Sequence, residues 1–175
     1  MSTGPRFRVH FRRRREGKTD YRVRLRLLKS GSDRAVVRIS ERRVQVALVR
    51  YDPAGDRVAA VADSRELAGL AFPERSLRST PAAYLTAYLA GLRGKAAGVE
   101  SAVLDLGLRH PTQGGRLAAA LKGLLDAGIE IPHGEERFPS VDRLNGTHLP
   151  KPLPQPVEAY KMKLSDLARR PEVTA

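Results

Sequence analysis

Arg12, Arg13, Arg14 and Arg15 stand side by side, and no protein core accepts four consecutive guanidinium groups. Residues 1–30 hold eleven of the chain's 32 Lys+Arg against two acids, Glu16 and Asp20, a net charge of +9. The other 145 residues carry 21 basic and 17 acidic side chains, a net of +4. The cationic excess is therefore a separate arm, and a core has to be built from the residues after it. With 175 residues in all, that leaves room for one domain of ordinary size with extensions and not for two.

The arm's composition points to a polyanion. Arg6, Arg8, His10 and Lys18 surround the arginine run, and Arg22, Arg24, Arg26 and Lys29 continue the charge. Phe7, Phe11 and Tyr21 lie among these cations, three of the nine aromatic residues within the first 21 positions. Guanidinium forks suit phosphates, and aromatic faces suit unstacked bases. Such an arm repels itself in isolation and is expected to order against RNA. The rival readings are a disordered tail, a targeting address or a solubility device. Residues 20–29 alternate apolar and basic, which argues against an amphipathic membrane-surface helix. A helix with Leu25 and Leu28 facing inward remains the alternative for the same segment.

The body reads as three strands and then two helices. Arg34–Ser40, Val44–Tyr51 and Arg57–Asp63 are rich in Val and Ala, as strands are. Ser40-Glu41-Arg42 is short enough for a hairpin, and Asp52-Pro53-Ala54-Gly55-Asp56 is a turn signal. A looser stretch, Ser64–Ser79, leads to a helix with Thr80 as N-cap and Pro81 at its first position. Leu85, Tyr88, Leu89, Leu92 and Ala96 mark one buried stripe, and Gly98 closes the helix. Ala102–Leu108 is expected as a buried strand and Arg116–Ala127 as a second helix, with Leu117, Leu121 and Leu124 on one face. Ile129–Ile131 begins a last short strand. The order β-β-β-α-β-α-β implies a mixed sheet covered by helices over residues 31–132.

Residues 133–175 form a proline-rich, irregular C-terminal extension. Prolines at 150, 152, 154 and 156 favour extended backbone. A short amphipathic helix is expected after them, with Val157, Tyr160, Leu164 and Leu167 on one side.

Catalytic and metal signatures do not assemble. Cysteine is absent, which removes disulfides, thiol catalysis and Cys-based zinc sites. His10, His110, His133 and His148 lack ligand spacing, and no nucleophile elbow or Walker-type loop is present. A nuclease on such a sheet needs several converging carboxylates, whereas Asp105 stands alone in the fourth strand. Neither enzyme activity, cofactor nor metal is expected. No stretch is apolar enough to span a membrane, and no secretory signal follows the basic N-terminus, so a cytoplasmic protein is expected. Thr112-Gln113-Gly114-Gly115-Arg116 admits two readings, a phosphate cradle or a tight strand-to-helix turn.

Several stretches together resemble a known family. They are Phe11-Arg-Arg-Arg-Arg-Glu-Gly-Lys-Thr-Asp-Tyr21, Arg24-Leu-Arg-Leu-Leu-Lys-Ser-Gly31 and Pro81-Ala-Ala-Tyr-Leu-Thr-Ala-Tyr-Leu-Ala-Gly-Leu92. Val103-Leu-Asp-Leu-Gly-Leu108 and Pro111-Thr-Gln-Gly-Gly-Arg116, leading to Ile131-Pro-His133, complete the set. In this order they resemble the archaeal 5S-rRNA-binding proteins of the large ribosomal subunit, number eighteen in the universal large-subunit series. The resemblance implies a ribonuclease H-like sheet with strand order near 3-2-1-4-5. It also implies binding of 5S rRNA, its attachment to the 23S rRNA in the central protuberance, and a neighbouring 5S-binding ribosomal protein. Carried over to this chain, RNA contacts fall on Arg6, Arg8, Arg12 to Arg15, Lys18, Tyr21, Arg22, Arg24, Arg26 and Lys29, with His10 and Phe11 among them. Arg42, Arg43, Thr112, Gly114 and Arg116 are of second rank. A non-ribosomal RNA chaperone or assembly factor is the alternative that the basic arm alone allows.

Overall fold

The computed structural model describes residues 4–5, 7–134, 138–150 and 153–169. Its centre is a four-stranded sheet of β1 (Asp33–Ile39), β2 (Val44–Arg50), β3 (Arg57–Asp63) and β4 (Ala102–Asp105), in the order β3-β2-β1-β4. The meander β1–β2–β3 is antiparallel, and β4 joins parallel to β1, with Val36 opposite Asp105. Each meander strand lies within a residue of its expected bounds. Ser40 ties the first hairpin, its N–H donating to the Arg43 carbonyl at 2.8 Å.

Alternation along β1 sets the two faces of the sheet. Ala35, Val37 and Ile39 are buried on one side with Val44, Val46 and Leu48 of β2. Arg34, Val36 and Arg38 point to the other side.

The first face is covered by α3 (Thr80–Ala96), with α4 (Arg116–Asp126) and α6 (Val157–Arg169) packed on α3. The single stripe expected on α3 is a correction: Thr80 to Ala87 are all buried, while Ala96 is exposed. Small residues around the helix let neighbours approach from several sides, and a helix apolar all round is enclosed all round. Gly123 of α4 is one such residue, since a Cβ there would meet the Tyr84 carbonyl and the Tyr88 N–H of α3. Ser79, not Thr80, caps α3, its Oγ accepting from the Ala82 N–H at 3.4 Å. Gly98 closes it with φ of +76°.

Two expected strands change. β4 stops at Asp105, because that carboxylate accepts the Gly107 N–H at 2.9 Å and Gly107 turns the chain at φ of +63°. Ile129–Ile131 is no strand: it makes one parallel bridge, Ser101 with Glu130, before Pro132 removes the next donor. The loose stretch contains two 3₁₀ segments, Ser64–Leu70 and Glu74–Ser76.

The C-terminal helix meets its expected pattern. Val157, Tyr160 and Leu164 are buried in the main core and Leu167 packs against it. A short helical turn α5 (Val141–Leu144) adds Leu144 to the same core.

Much of the N-terminal segment is helical among the described residues. α1 (Arg12–Arg15) is a single turn, and α2 (Tyr21–Lys29) is a capped helix. Of the two readings open for residues 20–29, the helix holds. Asp20 decides it by accepting the Arg22 and Val23 N–H groups at 2.8 and 3.2 Å, which satisfies donors that a helix start leaves open. Those bonds, Val23 first, hold the Asp20 carboxyl below its ordinary range. Leu27 and Leu28 are half-buried, whereas Leu25 is exposed.

Candidate nucleic-acid interface

The arginine run is wholly solvent-facing. All four residues of α1 are exposed, and in a single turn their guanidiniums spread around the axis. Glu16 is the nearby acid, 3.7 Å from Arg12 and 2.9 Å from Lys18. Arg13 donates to the Thr19 hydroxyl at 2.9 Å, Arg14 acts on Asp20 by charge alone, and Arg15 has no acidic partner among the described residues. Arg8 and His10 are exposed just ahead of the turn, and Arg6 lies outside the described residues. Phe11 and Tyr21 pack on each other with ring centroids 5.3 Å apart. Phe11 nonetheless keeps a relative exposure of 72%, so one ring face stays free to stack.

α2 carries two kinds of cation. Arg22, Arg26 and Lys29 face solvent. Arg24 turns toward the body and pairs with Asp56 at 2.8 Å. Asp56 also receives Arg34 of β1, whose other terminal nitrogen reaches Asp105 at 3.0 Å. Arg38 completes the chain, 3.1 Å from Asp105.

This ladder of three arginines and two carboxylates ties the arm to the free face of the sheet. Burial pushes the Asp105 carboxyl up, but Arg38, the Gly107 N–H and Arg34 outweigh it and hold the group below its ordinary range. Asp56 is likewise lowered, burial opposing and Arg24 and Arg34 prevailing. Asp105 is therefore occupied as a counter-ion. Among the described residues no group of three or more His, Asp or Glu side chains gathers as metal ligands do.

Three clefts follow the basic residues. The first, about 410 Å³, lies between the arm and the sheet and is lined by Arg13, Lys18, Tyr21, Arg24 and Arg38 among others. The second, about 310 Å³, is lined by Lys18, Arg38, Ser40, Arg43 and Arg109. The third is an open groove of about 1160 Å³ beside the first hairpin, where Arg42 and Arg43 meet Arg65, Arg75 and Arg78.

Arg43 is tied to Asp63 at 3.1 Å, while Arg42 is exposed without an acidic partner among the described residues. Thr112 and Gly114 line none of these clefts. Their turn is tight, the Gly115 N–H donating to the Thr112 carbonyl at 3.1 Å and Gly114 at φ of +62°. Arg116 beside it donates to the Arg78 carbonyl at 3.3 Å.

Arg34, Arg38, Arg65, Arg75, Arg78 and Arg109 escape a reading by charge runs because each is isolated in sequence. A signal did exist for two of them: Arg34 and Arg38 alternate with Ala35 and Val37, which places them together on the face away from the core.

Comparison with known proteins accounts for the arm and the sheet together. The sequence profile described as "Ribosomal large subunit proteins 60S L5, and 50S L18" matches residues 5–100, which include α1, α2, the meander and α3. The chain belongs to this family. Among curated relatives, the large ribosomal subunit protein uL18 of Methanococcoides burtonii is 47% identical over 94% of this chain and 97% of its own length. The uL18 protein of Aeropyrum pernix is 49% identical over 97% of this chain and 78% of its own. That of Methanoregula boonei is 44% identical over the whole chain and 95% of its own length. These relatives are archaeal ribosomal proteins, and the chain is a ribosomal protein of this family and not an enzyme. No helix among the described residues is long and apolar enough to cross a membrane.

Proposed function

We propose that this chain is a structural constituent of the large ribosomal subunit that binds 5S rRNA through its N-terminal arm. It helps attach that RNA to 23S rRNA in the central protuberance, beside a neighbouring 5S-binding ribosomal protein. Its place of work is the ribosome in the cytoplasm. We also read the sheet as ribonuclease H-like, with the Ser101–Glu130 bridge standing where a fifth strand would extend the order to 3-2-1-4-5.

The observation that carries the reading is the solvent-facing turn Arg12–Arg15, followed by a docked helix with its remaining cations outward. Cations without carboxylate partners neutralise phosphates at little desolvation cost, while Phe11 offers a face for a base. Arg8, His10, Lys18, Tyr21, Arg22, Arg26 and Lys29 extend this contact. Arg6 and the Thr112–Arg116 turn belong to the same proposal.

The test compares binding of the full chain to isolated 5S rRNA and to tRNA across a salt series. Preference for 5S rRNA that persists at moderate salt supports the reading. Equal affinity for both RNAs would leave a general RNA chaperone. Replacing Arg12 to Arg15 by Ala should lower the slope of log affinity against log salt by about 3, at roughly 0.7–0.9 for each phosphate no longer neutralised.

A further inference from the structure

The three clefts are not separate. The arm cleft and the second cleft share Lys18, Arg38 and Gly107 as walls. The second cleft and the hairpin groove share Ser40 and Arg43. A path therefore runs from α1, past the end of β1, around the first hairpin and onto the 3₁₀ segments ahead of α3. We propose that this path is one continuous track that holds the phosphate backbone of a single RNA, so that the arm and the hairpin groove grip the same molecule. The inference rests on the RNA-binding reading of the arm.

Charge along the track supports a polyanion over its whole length. Ten cations line the three clefts against four acids, Asp20, Glu41, Glu74 and Asp105. Two of those acids are already engaged, Asp20 in capping α2 and Asp105 with Arg34 and Arg38. At the groove, Arg43 and Arg65 share one carboxylate, Asp63, at 3.1 and 3.3 Å. Arg42 and Arg75 have no acidic partner among the described residues and both are exposed.

Crowding beyond the groove points the same way. Arg116 is held below its ordinary value by burial first and then by the cations of Arg109 and Arg78. Arg78 lines the groove and Arg109 lines the second cleft, so like charges converge between the two. A bound phosphate relieves such repulsion.

The groove's lining also favours RNA over an acidic protein. A stable protein interface needs a desolvated apolar centre. Here the apolar lining is Ala68 and Leu77, and Leu77 is itself 8% exposed. What the groove offers is a row of guanidinium forks, which matches phosphate oxygens.

The test keeps the full chain and uses isolated 5S rRNA as probe. Arg42, Arg75 and Arg78 are changed together to Ala; all three are exposed and the one tie lost is the solvent-facing bond of Arg78 to the Glu41 carbonyl at 3.2 Å, so the urea midpoint should move little. The salt slope should fall by about 2 to 3, as expected for three neutralised phosphates, and Lys at the three positions should restore most of it. A groove variant that keeps the full slope while the Arg12–Arg15 variant loses it overturns the single track and leaves the arm reading intact. Loss of slope in neither variant sinks both readings. Loss in the groove variant alone removes the arm from the site, and the continuous track with it.

Discussion

The arginines of this chain fall into two populations, and the difference between them is whether the fold supplies a carboxylate partner. Arg24, Arg34 and Arg38 lie in a ladder with Asp56 and Asp105, with N–O separations of up to 3.1 Å. Arg15, Arg42 and Arg75 face water without a carboxylate partner among the described residues. Residue type is the same in both groups, so what a guanidinium does here is decided by whether the fold supplies its anion. The tied group fixes the arm helix to the sheet. On the proposed reading, the untied group is what meets phosphate.

The largest expected effect comes from breaking the tied group. Asp105→Ala takes from Arg34, 2% exposed, the more buried of its two carboxylates and leaves it Asp56, so the cost should fall short of the about 3–5 kcal/mol of a fully stranded buried charge. A urea titration measures it, and an unchanged midpoint would mean the ladder is not structural. On the other face of the sheet, Gly123→Ala drives a methyl against the α3 backbone at Tyr84 and should cost about 1–3 kcal/mol with little change in RNA affinity. Thermal melting together with 5S rRNA binding reads both.

Acid sharpens the same contrast. Asp56 and Asp105 have folded values lowered from the ordinary range, so their stabilisation is complete above the unfolded carboxyl value near 3.9. It is lost as pH falls through the lower folded values, and the chain should unfold more readily below about pH 4. Asp105→Asn should flatten that acid limb, as followed by urea midpoints between pH 3 and 6. Asp20→Ala should reduce helical circular dichroism while leaving the melting of the body unchanged, because it uncaps only α2. Smallest of all, Arg12→Ala should leave the urea midpoint where it is, since its pairing with Glu16 is a 3.7 Å contact in solvent.

The meander was legible because its signals are local. Val and Ala runs, the Ser40–Arg42 link and the Pro53–Gly55 turn each act within a few residues. The end of β4 was less so, because Asp105 both pairs with arginines far off in sequence and turns the chain at Gly107. A one-stripe reading of α3 underestimated its burial, since alanine and glycine carry little periodic signal yet admit close neighbours. The arginine run stood out as a unit. The hairpin groove did not, because Arg42, Arg65, Arg75 and Arg78 are gathered only by the fold.

Asp56 serves both the arm and the sheet, holding Arg24 and Arg34 at the same oxygen. If α2 swings away, that carboxylate keeps its sheet partner, and no lone charge is stranded in the body. Undocking the arm thus leaves a body whose ion pairs are still closed, as a hinged clasp leaves its case shut.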